Sequence, residues 1–376
     1  MKKIYITSLH MMHGGVEMAI TLLANALVKR NYNVEILCIY YLGEPAYKVD
    51  ERVKITYLSK VHPNREEFKK AVASHNVLHI IREGLYAVKV LYLKRQLLVQ
   101  KFKKIDEGII ISTRNEHSVL LSKYGSANVK KIAQLHHDHK FDKKLFNDFS
   151  KRYGRIDVFV LLTEVLWREV QKIMKKNKHT KCVVIPNFLE NIVERNQEER
   201  ICQVVSVGRL HEVKGFPRLI EIWKELDVED KPILKIIGDG DEKKKLQDII
   251  VDNHLENFVI LTGAMSHEDA MKEMRQSLFY VMTSFSEAFP FVLIEAMANG
   301  LPAVTFDVRV GPGAIVEDSV SGFLIPDGDK EEFVKRVQLL IEDDSLRNQM
   351  SEAAFERSQE FTENNVMKKW IEILEV

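Results

Sequence analysis

The sequence contains few of the residues that define several specialised protein classes. Its 376 residues include only three cysteines, Cys38, Cys182 and Cys202, whose wide spacing offers neither a disulfide framework nor a paired-cysteine metal site. Nine prolines and 17 glycines exclude a collagen-like or low-complexity chain. No apolar run approaches the length of a membrane span, and the first residues are too short and strand-like a stretch for a signal peptide. We therefore expect a cytoplasmic globular protein with room for two domains.

Charge is balanced over the whole chain but divided unevenly along it. The formal net charge is +1. Residues 1–190 carry 34 Lys and Arg against 18 Asp and Glu, whereas residues 191–376 carry 21 against 36. A basic half of this kind indicates an anionic partner, and we expect that partner not to be a nucleic acid. The alternative is a lysine-rich surface without a partner.

Strand-like and helical segments alternate along the first half. Lys3–Leu9 is a β-rich run, and Val16–Arg30 has the apolar spacing of a helix. Glu66–Lys104 is expected to be a long basic helical stretch that breaks near Gly84. Further strands are predicted at Asn33–Tyr41, Val53–Leu58, Gly108–Thr113, Val129–Leu135 and Asp157–Leu162, and Cys182–Ile185 ends this half of the chain. Apolar strands separated by helices predict a parallel sheet covered on both faces.

The same pattern restarts after Glu190–Arg200, a charged segment that we interpret as a linker. A strand at Cys202–Val207 and a helix at Pro217–Leu226 open the second series. Further strands are predicted at Leu234–Ile237, Phe258–Leu261, Leu278–Thr283 and Ala303–Phe306, and a closing helix at Glu363–Leu374 with Val366, Trp370, Ile373 and Leu374 apolar. The whole pattern predicts two doubly wound α/β domains, in which ligands bind at the carboxyl ends of the strands.

Two glycines lie in the first strand-to-helix turn. Gly14 and Gly15 would let the backbone approach a ligand at a helix N-terminus, a position that favours anions. The turn does not have the GxGxxG spacing of a dinucleotide site. A tight turn without a ligand is an equally good interpretation.

Two cations follow the first strand of the second series. Arg209 and Lys214 lie in the stretch Gly208-Arg209-Leu210-His211-Glu212-Val213-Lys214-Gly215. A forked guanidinium and a compact ammonium at the carboxyl end of a strand suit a pyrophosphate. The alternative is a pair of surface cations on a loop.

A pair of carboxylates, Glu287 and Glu295, brackets the start of a later helix, and Pro290 fits its first turn. We expect Glu287, in the loop, to hydrogen-bond sugar hydroxyls. Glu295, inside the helix, is expected to bind the diol of a ribose. The free N–H groups of the first helical turn can hold a phosphate between them.

Taken together, these motifs resemble family 4 of the glycosyltransferases, the retaining, nucleotide-sugar-dependent enzymes of the GT-B fold. The resemblance is carried by Gly14-Gly15, Gly208–Gly215, Gly238-Asp239-Gly240, the Glu287–Glu295 pair, Gly300–Val304 and Ser321–Pro326. It implies two Rossmann-like domains that face each other across a cleft. Residues 1–187 would take the acceptor, residues 188–362 the nucleotide sugar, and the C-terminal helix, residues 363–376, would cross back to the first domain.

The resemblance also implies a histidine near the transferred sugar, at the end of a strand. His136-His137-Asp138-His139 follows the strand that ends at Leu135, and His136 fits the register best. Without the resemblance, the same run is a candidate metal site. That interpretation is the weaker one, because consecutive residues point in different directions on any regular element.

The implied activity is that of a retaining hexosyltransferase, which moves a sugar from a UDP-sugar to a cell-envelope, capsule, teichoic-acid or other glycan acceptor. No cofactor and no metal are expected. The catalytic residues would be His136, Arg209, Lys214 and Glu287, and the donor would contact Gly14, Gly15, Gly208, Arg209, Lys214, Gly263, Phe289, Pro290, Phe291 and Glu295. Asp239-Gly240-Asp241 matches a metal-binding pattern of other glycosyltransferases, but we expect it only to turn the chain. Gly311-Pro312-Gly313 points to the branch of the family with teichoic-acid, capsule or adhesin acceptors.

Two other functions stay open: a catalytically silent subunit of a glycosyltransferase complex and a sugar-nucleotide epimerase of the same fold. A silent subunit would usually have lost its charged site residues, and an epimerase would release no UDP in response to an acceptor. The acceptor is expected to be a glycan, a lipid-linked molecule or a polyanion. We also expect the basic half, including Leu85–Lys104, to make a loose electrostatic contact with an anionic membrane surface at the inner face of the cell membrane. The cations of Leu85–Lys104 do not gather on one face of a helix, so the alternative is a structural helix whose long side chains extend outward.

Overall fold

The structure is a computed structural model and describes residues 2–190 and 199–375. The chain divides into two compact units. The first comprises Met1–Leu161, Trp167–Ile185 and Ile371–Val376, and the second comprises Leu162–Leu166 and Pro186–Trp370. Most of the predicted linker, Glu190–Arg200, lies outside the described residues.

A parallel sheet of seven strands forms the centre of the first unit. Its strands are β1 (Lys3–Ser8), β2 (Asn33–Tyr40), β3 (Lys54–Ser59), β4 (Ile109–Ser112), β5 (Lys130–Leu135), β6 (Val158–Leu161) and β7 (Lys181–Val184). They pair in the order β3-β2-β1-β4-β5-β6-β7. Strands β1, β2 and β4 are buried almost throughout, which explains why their sequences are apolar on both faces.

The helices of this part of the chain correct one prediction. They are α1 (Gly15–Lys29), α2 (Arg65–Ala73), α3 (Val77–Lys104), α4 (Asn115–Tyr124), α5 (Lys143–Arg152) and α6 (Glu164–Ile173). The predicted break near Gly84 is wrong, because α3 continues through that glycine. The chain turns instead at His75, whose φ is 53°, and the side chain of Asn76 then accepts a hydrogen bond from the His79 N–H at 3.1 Å. Local capping therefore determines where the helix begins.

The second unit contains a parallel sheet of six strands. They are β8 (Gln203–Val207), β9 (Ile233–Ile237), β10 (Val259–Gly263), β11 (Tyr280–Met282), β12 (Ala303–Asp307) and β13 (Gly322–Pro326). Their order is β10-β9-β8-β11-β12-β13. The sequence pattern did not predict β13 as a strand, since it begins with glycine and ends with proline. Gly322 is required there because a Cβ would lie 2.2 Å from the Ala303 carbonyl oxygen.

Seven helices continue the chain from the first strand of this sheet to residue 375. They are α7 (Phe216–Glu225), α8 (Lys243–Asp252), α9 (His267–Gln276), α10 (Phe291–Ala298), α11 (Lys330–Glu342), α12 (Asp344–Ser358) and α13 (Glu363–Glu375). The apolar residues predicted for the last helix, Val366, Trp370, Ile373 and Leu374, are all buried. None of the helices in the described part of the chain combines the length and the apolarity needed to span a membrane.

In both sheets the strand order reverses beside the strand that comes first in the chain. Strand β1 lies between β2 and β4, and β8 lies between β9 and β11. The loops that follow the two neighbouring strands at such a point run in opposite directions and leave a crevice between them. Doubly wound sheets bind ligands in this crevice, at the carboxyl ends of the strands. In the second unit this crevice lies between the loop after β8 and the loop after β11.

Candidate functional site

The loop after β8 brings Lys214 to Glu287, although 72 residues separate them in the chain. The Lys214 Nζ lies 2.7 Å from the Glu287 Oε1, and the two side chains are only 23% and 12% exposed. Arg209, five residues earlier, is exposed, and none of the described residues forms an ion pair with it. The structure thus holds one predicted cation against a predicted carboxylate and leaves the other cation free for an anion.

The turn after β9 supports the backbone of this loop. The Leu210 N–H donates to the Asp239 carbonyl oxygen at 3.0 Å, and the Gly208 N–H donates to the Ile237 carbonyl oxygen at 2.9 Å. A Cβ on Gly238 would lie 1.9 Å from the Gly208 carbonyl oxygen. The glycines of Gly238-Asp239-Gly240 are therefore needed for the close approach of two backbones, and this segment turns the chain as predicted.

The loops after β8 and β11 are joined by the backbone around Gly215 and Thr283. Gly215 has a φ of +65°, and a Cβ there would lie 2.1 Å from the Thr283 carbonyl oxygen. The Thr283 hydroxyl in turn donates to the Gly215 carbonyl oxygen at 3.0 Å. This junction holds the loop that carries Lys214 against the loop that carries Glu287.

Arg218 strengthens the same junction and was not predicted from the sequence. Its Nε and one terminal nitrogen each donate at 2.6 Å to the carbonyl oxygens of Thr283 and Ser284. Its guanidinium carbon lies 4.0 Å and 4.1 Å from the ring centroids of Phe285 and Phe306. Sequence offered no signal for this role beyond the position of Arg218 in the first turn of a helix.

Pro290 lies at the N-cap of α10, and no side chain among the described residues caps that end. Gly311 packs against Pro290 and Glu287. A Cβ on Gly311 would lie 2.9 Å from the Pro290 Cδ and 3.0 Å from the Glu287 Cβ, so only glycine fits there without a shift. Phe289 and Phe291 are buried, so only their backbone groups are open to a ligand. The amino end of α10 therefore faces the same crevice as Glu287 with its first N–H groups uncapped.

Glu295 lies inside α10 and is buried, with 6% of its surface exposed. Burial raises the pKa of this carboxyl to about 7. The Nδ1 of His267 lies 3.8 Å from the Glu295 Oε1, and burial lowers the pKa of that imidazole. Gly263, another predicted donor contact, ends β10 with a φ of +80° and has open space where a side chain would be, with only the Lys243 Nζ at 3.9 Å.

In the first unit, Gly14 makes room for a carboxylate that the sequence analysis did not select. A Cβ on Gly14 would lie 2.2 Å from the Glu17 Oε2. Glu17 is buried, and its Oε1 lies 3.6 Å from the His10 Nδ1 and 3.8 Å from a terminal nitrogen of Arg114. Acidic residues are common in the first turn of a helix. The sequence pattern alone therefore could not show that the Glu17 side chain is buried and not exposed to solvent.

The three histidines after β5 have different surroundings. His139 is held by the fold, since its Nδ1 accepts from the Phe141 N–H at 3.1 Å and its Nε2 lies 2.9 Å from the Glu169 Oε2. His137 is exposed. The Nε2 of His136 is buried without a hydrogen-bond partner in the described residues, and burial lowers the pKa of His136 to about 3. His136 is therefore neutral at physiological pH and keeps one ring nitrogen available.

No group of three or more His, Cys, Asp or Glu residues that could hold a metal ion occurs within residues 2–190 and 199–375. Asp239, the first acid of the metal-like pattern, instead accepts a hydrogen bond from the Gly240 N–H at 2.8 Å. It also lies 3.8 Å from the Lys243 Nζ. Its carboxylate is therefore engaged with its own turn.

Residues 188–357 match the family model described as "Glycosyl transferases group 1". These residues, a little under half of the chain, are similar to the group 1 glycosyltransferases. The resemblance drawn from the motifs is thereby confirmed. This match begins at residue 188, the predicted start of the second domain, and includes the Lys214–Glu287 pair.

Curated relatives and solved structures agree with this family. The chain is 28% identical over 369 residues to the amylovoran biosynthesis glycosyltransferase AmsD of Erwinia amylovora, covering 96% of both chains. It is 24% identical over 328 residues to the poly(glycerol-phosphate) alpha-glucosyltransferase of Bacillus subtilis, covering 84% of this chain and 48% of that protein. A crystal structure of S. aureus TarM in complex with Fondaparinux, alpha-GlcNAc-glycerol and UDP superposes with a TM-score of 0.78 at 17% identity, covering 100% of both chains. The predicted GT-B fold, with two Rossmann-like parallel-sheet domains, is confirmed.

Proposed function

We propose that this glycosyltransferase transfers a hexose from a UDP-sugar to a cell-envelope glycan or phosphate-rich polymer, with retention of configuration and without a metal. The observation that carries the proposal is the Lys214–Glu287 pair at the switch point of the second sheet, beside the exposed Arg209 and the uncapped end of α10. UDP is present in the TarM structure, AmsD is named for amylovoran biosynthesis, and the Bacillus enzyme is named for poly(glycerol-phosphate). These similarities support the donor and the acceptor class.

The cations supply the charge that a divalent ion supplies in other transferases. When the bond to the anomeric carbon breaks, negative charge builds up on the leaving diphosphate. Arg209 and Lys214, together with the N–H groups at the start of α10, are fixed donors for that charge. Because these donors are already in place, they stabilise the transition state without reorganising.

Glu287 has two tasks in this proposal. One carboxylate oxygen holds Lys214 in position at 2.7 Å, and the other accepts hydrogen bonds from hydroxyls of the donor sugar. Glu295 accepts hydrogen bonds from the ribose diol. Its neighbours are apolar, so the hydroxyl groups would replace the water that the buried carboxylate lacks.

In the first unit, neutral His136 is proposed to hydrogen-bond a hydroxyl of the transferred sugar through its unpartnered ring nitrogen. Gly14 and Gly15 allow phosphates and the acceptor to approach the backbone of the first loop. The resemblance to family 4 implies that no protein nucleophile is needed. The leaving phosphate takes the proton of the acceptor hydroxyl as that oxygen attacks the same face of the sugar.

The proposed setting is the cytoplasmic side of the cell membrane. The basic residues 1–190 would make an electrostatic contact with anionic lipids there. This places the enzyme where envelope polymers and lipid-linked acceptors are assembled. The three cysteines are free thiols, as a reducing compartment allows.

The first experiment is a thermal-unfolding screen with UDP-glucose, UDP-galactose, UDP-N-acetylglucosamine and GDP-mannose, since a ligand that binds only the folded state raises the melting temperature. The protective donor is then incubated with and without acceptor. We expect UDP to appear only with acceptor, and the product linkage to keep the donor's anomeric configuration by NMR. Interconversion of the sugar without an acceptor would instead identify an epimerase, and an inverted linkage would refute retention.

A further inference from the structure

Helix α3 exposes an apolar face over most of its length. Leu78, Ile81, Leu85, Val88 and Tyr92 follow one another at spacings of three and four residues, so they lie on one side of the helix. All five are between 54% and 81% exposed. Val77 and Leu91 extend the same surface, which we call the α3 apolar face. A contiguous apolar surface of this length indicates an interaction site.

The same side of α3 is covered only near its carboxyl end. Val99 and Phe102 continue the spacing and are buried in the first unit. The preceding helix α2 lies alongside without covering the rest, and contributes exposed Phe68 and Val72 next to the face. A hydrogen bond joins the two helices: the Nδ2 of Asn64, the residue before α2, donates to the Glu83 Oε2 of α3 at 2.8 Å. The face is therefore part of an ordered helical pair.

A basic cavity of about 860 Å³ adjoins the covered end of the face and shares Leu91 with it. Its walls are α3, α4 and α5, so we call it the α3–α5 cavity. Seven of its 17 lining residues are Lys or Arg, whereas only Glu116 and Asp148 are acidic. The residues that line the cavity lie between Leu91 and Arg155, and none of them is proposed for the donor site.

Internal pairs neutralise only part of this charge. Lys94 pairs with Glu116, and Arg152 lies 3.2 Å from a carboxylate oxygen of Asp148. The remaining cations include Lys144 and Lys151, which form no ion pair with any described residue. The buried Nε2 of His117, another lining residue, also has no hydrogen-bond partner in the described part of the chain. The excess of donors over acceptors favours an anion with several oxygens.

We propose that this surface docks on an anionic lipid bilayer, with the α3 apolar face in the acyl region and lipid phosphates in the α3–α5 cavity. The inference deepens the membrane contact of the proposed function, because it adds an apolar anchor to the electrostatic attraction. A second copy of the chain fits less well, since it would bring two basic halves together. A water-soluble polyanion would match the cavity but would leave the apolar face uncovered.

The test is sedimentation of the full chain with vesicles of phosphatidylglycerol or of phosphatidylcholine, at low and at high salt. We expect binding to phosphatidylglycerol at low salt and little binding to phosphatidylcholine. High salt should weaken the binding without abolishing it, because screening acts on the charges but not on apolar burial. Complete release at high salt would overturn the apolar anchor.

Paired variants separate the two contributions. Leu85→Ser with Val88→Ser should lower binding about tenfold or more at both salt concentrations, because two side chains no longer enter the acyl region. Lys144→Gln with Lys151→Gln should lower binding on the order of tenfold at low salt only. The matched controls are Val251→Ser with Val320→Ser, two exposed valines of the second unit, and Lys224→Gln with Lys244→Gln, two exposed lysines of the second unit. Both control pairs should bind as the parent chain does, and circular dichroism checks that every variant folds.

Two other outcomes would overturn the proposal. In the first, the parent chain does not bind vesicles but forms a dimer in analytical ultracentrifugation, and the variant with Leu85→Ser and Val88→Ser is monomeric. In the second, the parent chain does not bind vesicles but binds soluble glycerol-phosphate oligomers, and Lys144→Gln with Lys151→Gln weakens that binding. The vesicle assay uses neither donor nor acceptor, whereas donor protection against unfolding needs no lipid. A failure of the membrane inference therefore leaves the transferase proposal standing, and the reverse also holds.

Discussion

Replacing Lys214 by alanine perturbs the donor site in two separable ways. It removes a cation proposed to face the leaving diphosphate, and it leaves the Glu287 carboxylate without the ammonium that lies 2.7 Å away. Arg209→Ala removes the other cation without breaking any ion pair in the described residues. The two variants should therefore have the same effect on the rate but different effects on stability.

The expected magnitudes follow from burial and from the role of the charge. A charged contact made in the transition state contributes on the order of 3 kcal/mol, so each variant should lose about a hundredfold in turnover or more. The Lys214–Glu287 pair is mostly buried, and its loss should cost about 1–2 kcal/mol of unfolding free energy, between the values for exposed and fully buried pairs. Arg209 is exposed, so its loss should leave the unfolding free energy within about 0.5 kcal/mol of the parent value.

The assays are UDP release with the protective donor and acceptor, and chemical denaturation of the same preparations. Lys224→Ala is the matched control, because Lys224 is an exposed lysine in the last turn of α7, at the far end from Gly215. Adding Glu287→Gln to Lys214→Ala should recover part of the stability but none of the activity, since the unpaired charge disappears while the cation is still missing. Near-normal turnover in both Arg209→Ala and Lys214→Ala would refute the diphosphate assignment.

Three further predictions address metal, pH and the loop junction. Transfer should survive excess EDTA, and Asp239→Asn should be mild; complete loss with EDTA, restored by manganese or magnesium, would contradict the metal-free proposal. Because burial raises the pKa of Glu295 to about 7 from an ordinary value near 4.5, the folded state holds this proton more tightly than the unfolded chain. The contribution of Glu295 to the free energy of unfolding should therefore fall by about 3 kcal/mol as the pH rises from 4.5 to above 7. Over the same range, calorimetry should show tighter UDP binding as the carboxylate forms. Glu295→Gln should flatten both pH profiles, and a binding profile that this variant leaves unchanged would refute the ribose assignment. Gly215→Ala should cost at least about 2 kcal/mol in thermal unfolding, because of its φ of +65° and the Thr283 carbonyl oxygen 2.1 Å from the added carbon. Gly154→Ala, where nothing lies within 4 Å, is the control, and equal stability of the two variants would contradict the account of the junction.

Local patterns in the sequence were sufficient to predict the repeating α/β architecture. The apolar runs that became β1, β2 and β8 are buried on both faces, so their composition reports the parallel sheet directly. The stretch from Gly208 to Gly215 and the segment from Glu287 to Glu295 are likewise local, since each lies in one loop or one loop and its helix. Spacing within a few turns of chain determines which side chains can share a strand end or a helical face.

Pairings between distant segments were decided only by the tertiary structure. Lys214 meets Glu287 because β8 and β11 are neighbours in the sheet, an order that no local period encodes. Arg218 acquires its role for the same reason, through the Thr283 carbonyl of the neighbouring loop. The break at His75 in place of Gly84 is different, because it is set locally by the positive φ of His75 and by the Asn76 side chain that caps α3.

The α3 apolar face shows the same division most clearly. Its spacing is visible in the sequence, and a stripe of this kind ordinarily packs against a core. Which part of the stripe is covered depends on where α4 and α5 lie, and those helices are placed by the order of β4, β5 and β6. The sequence by itself determined that α3 has an apolar side, whereas only the assembled sheet decided that Val99 and Phe102 are buried and that Leu78 and Leu85 are exposed. The physical reason is that periodicity is a property of one segment, but burial is a property of everything packed around it.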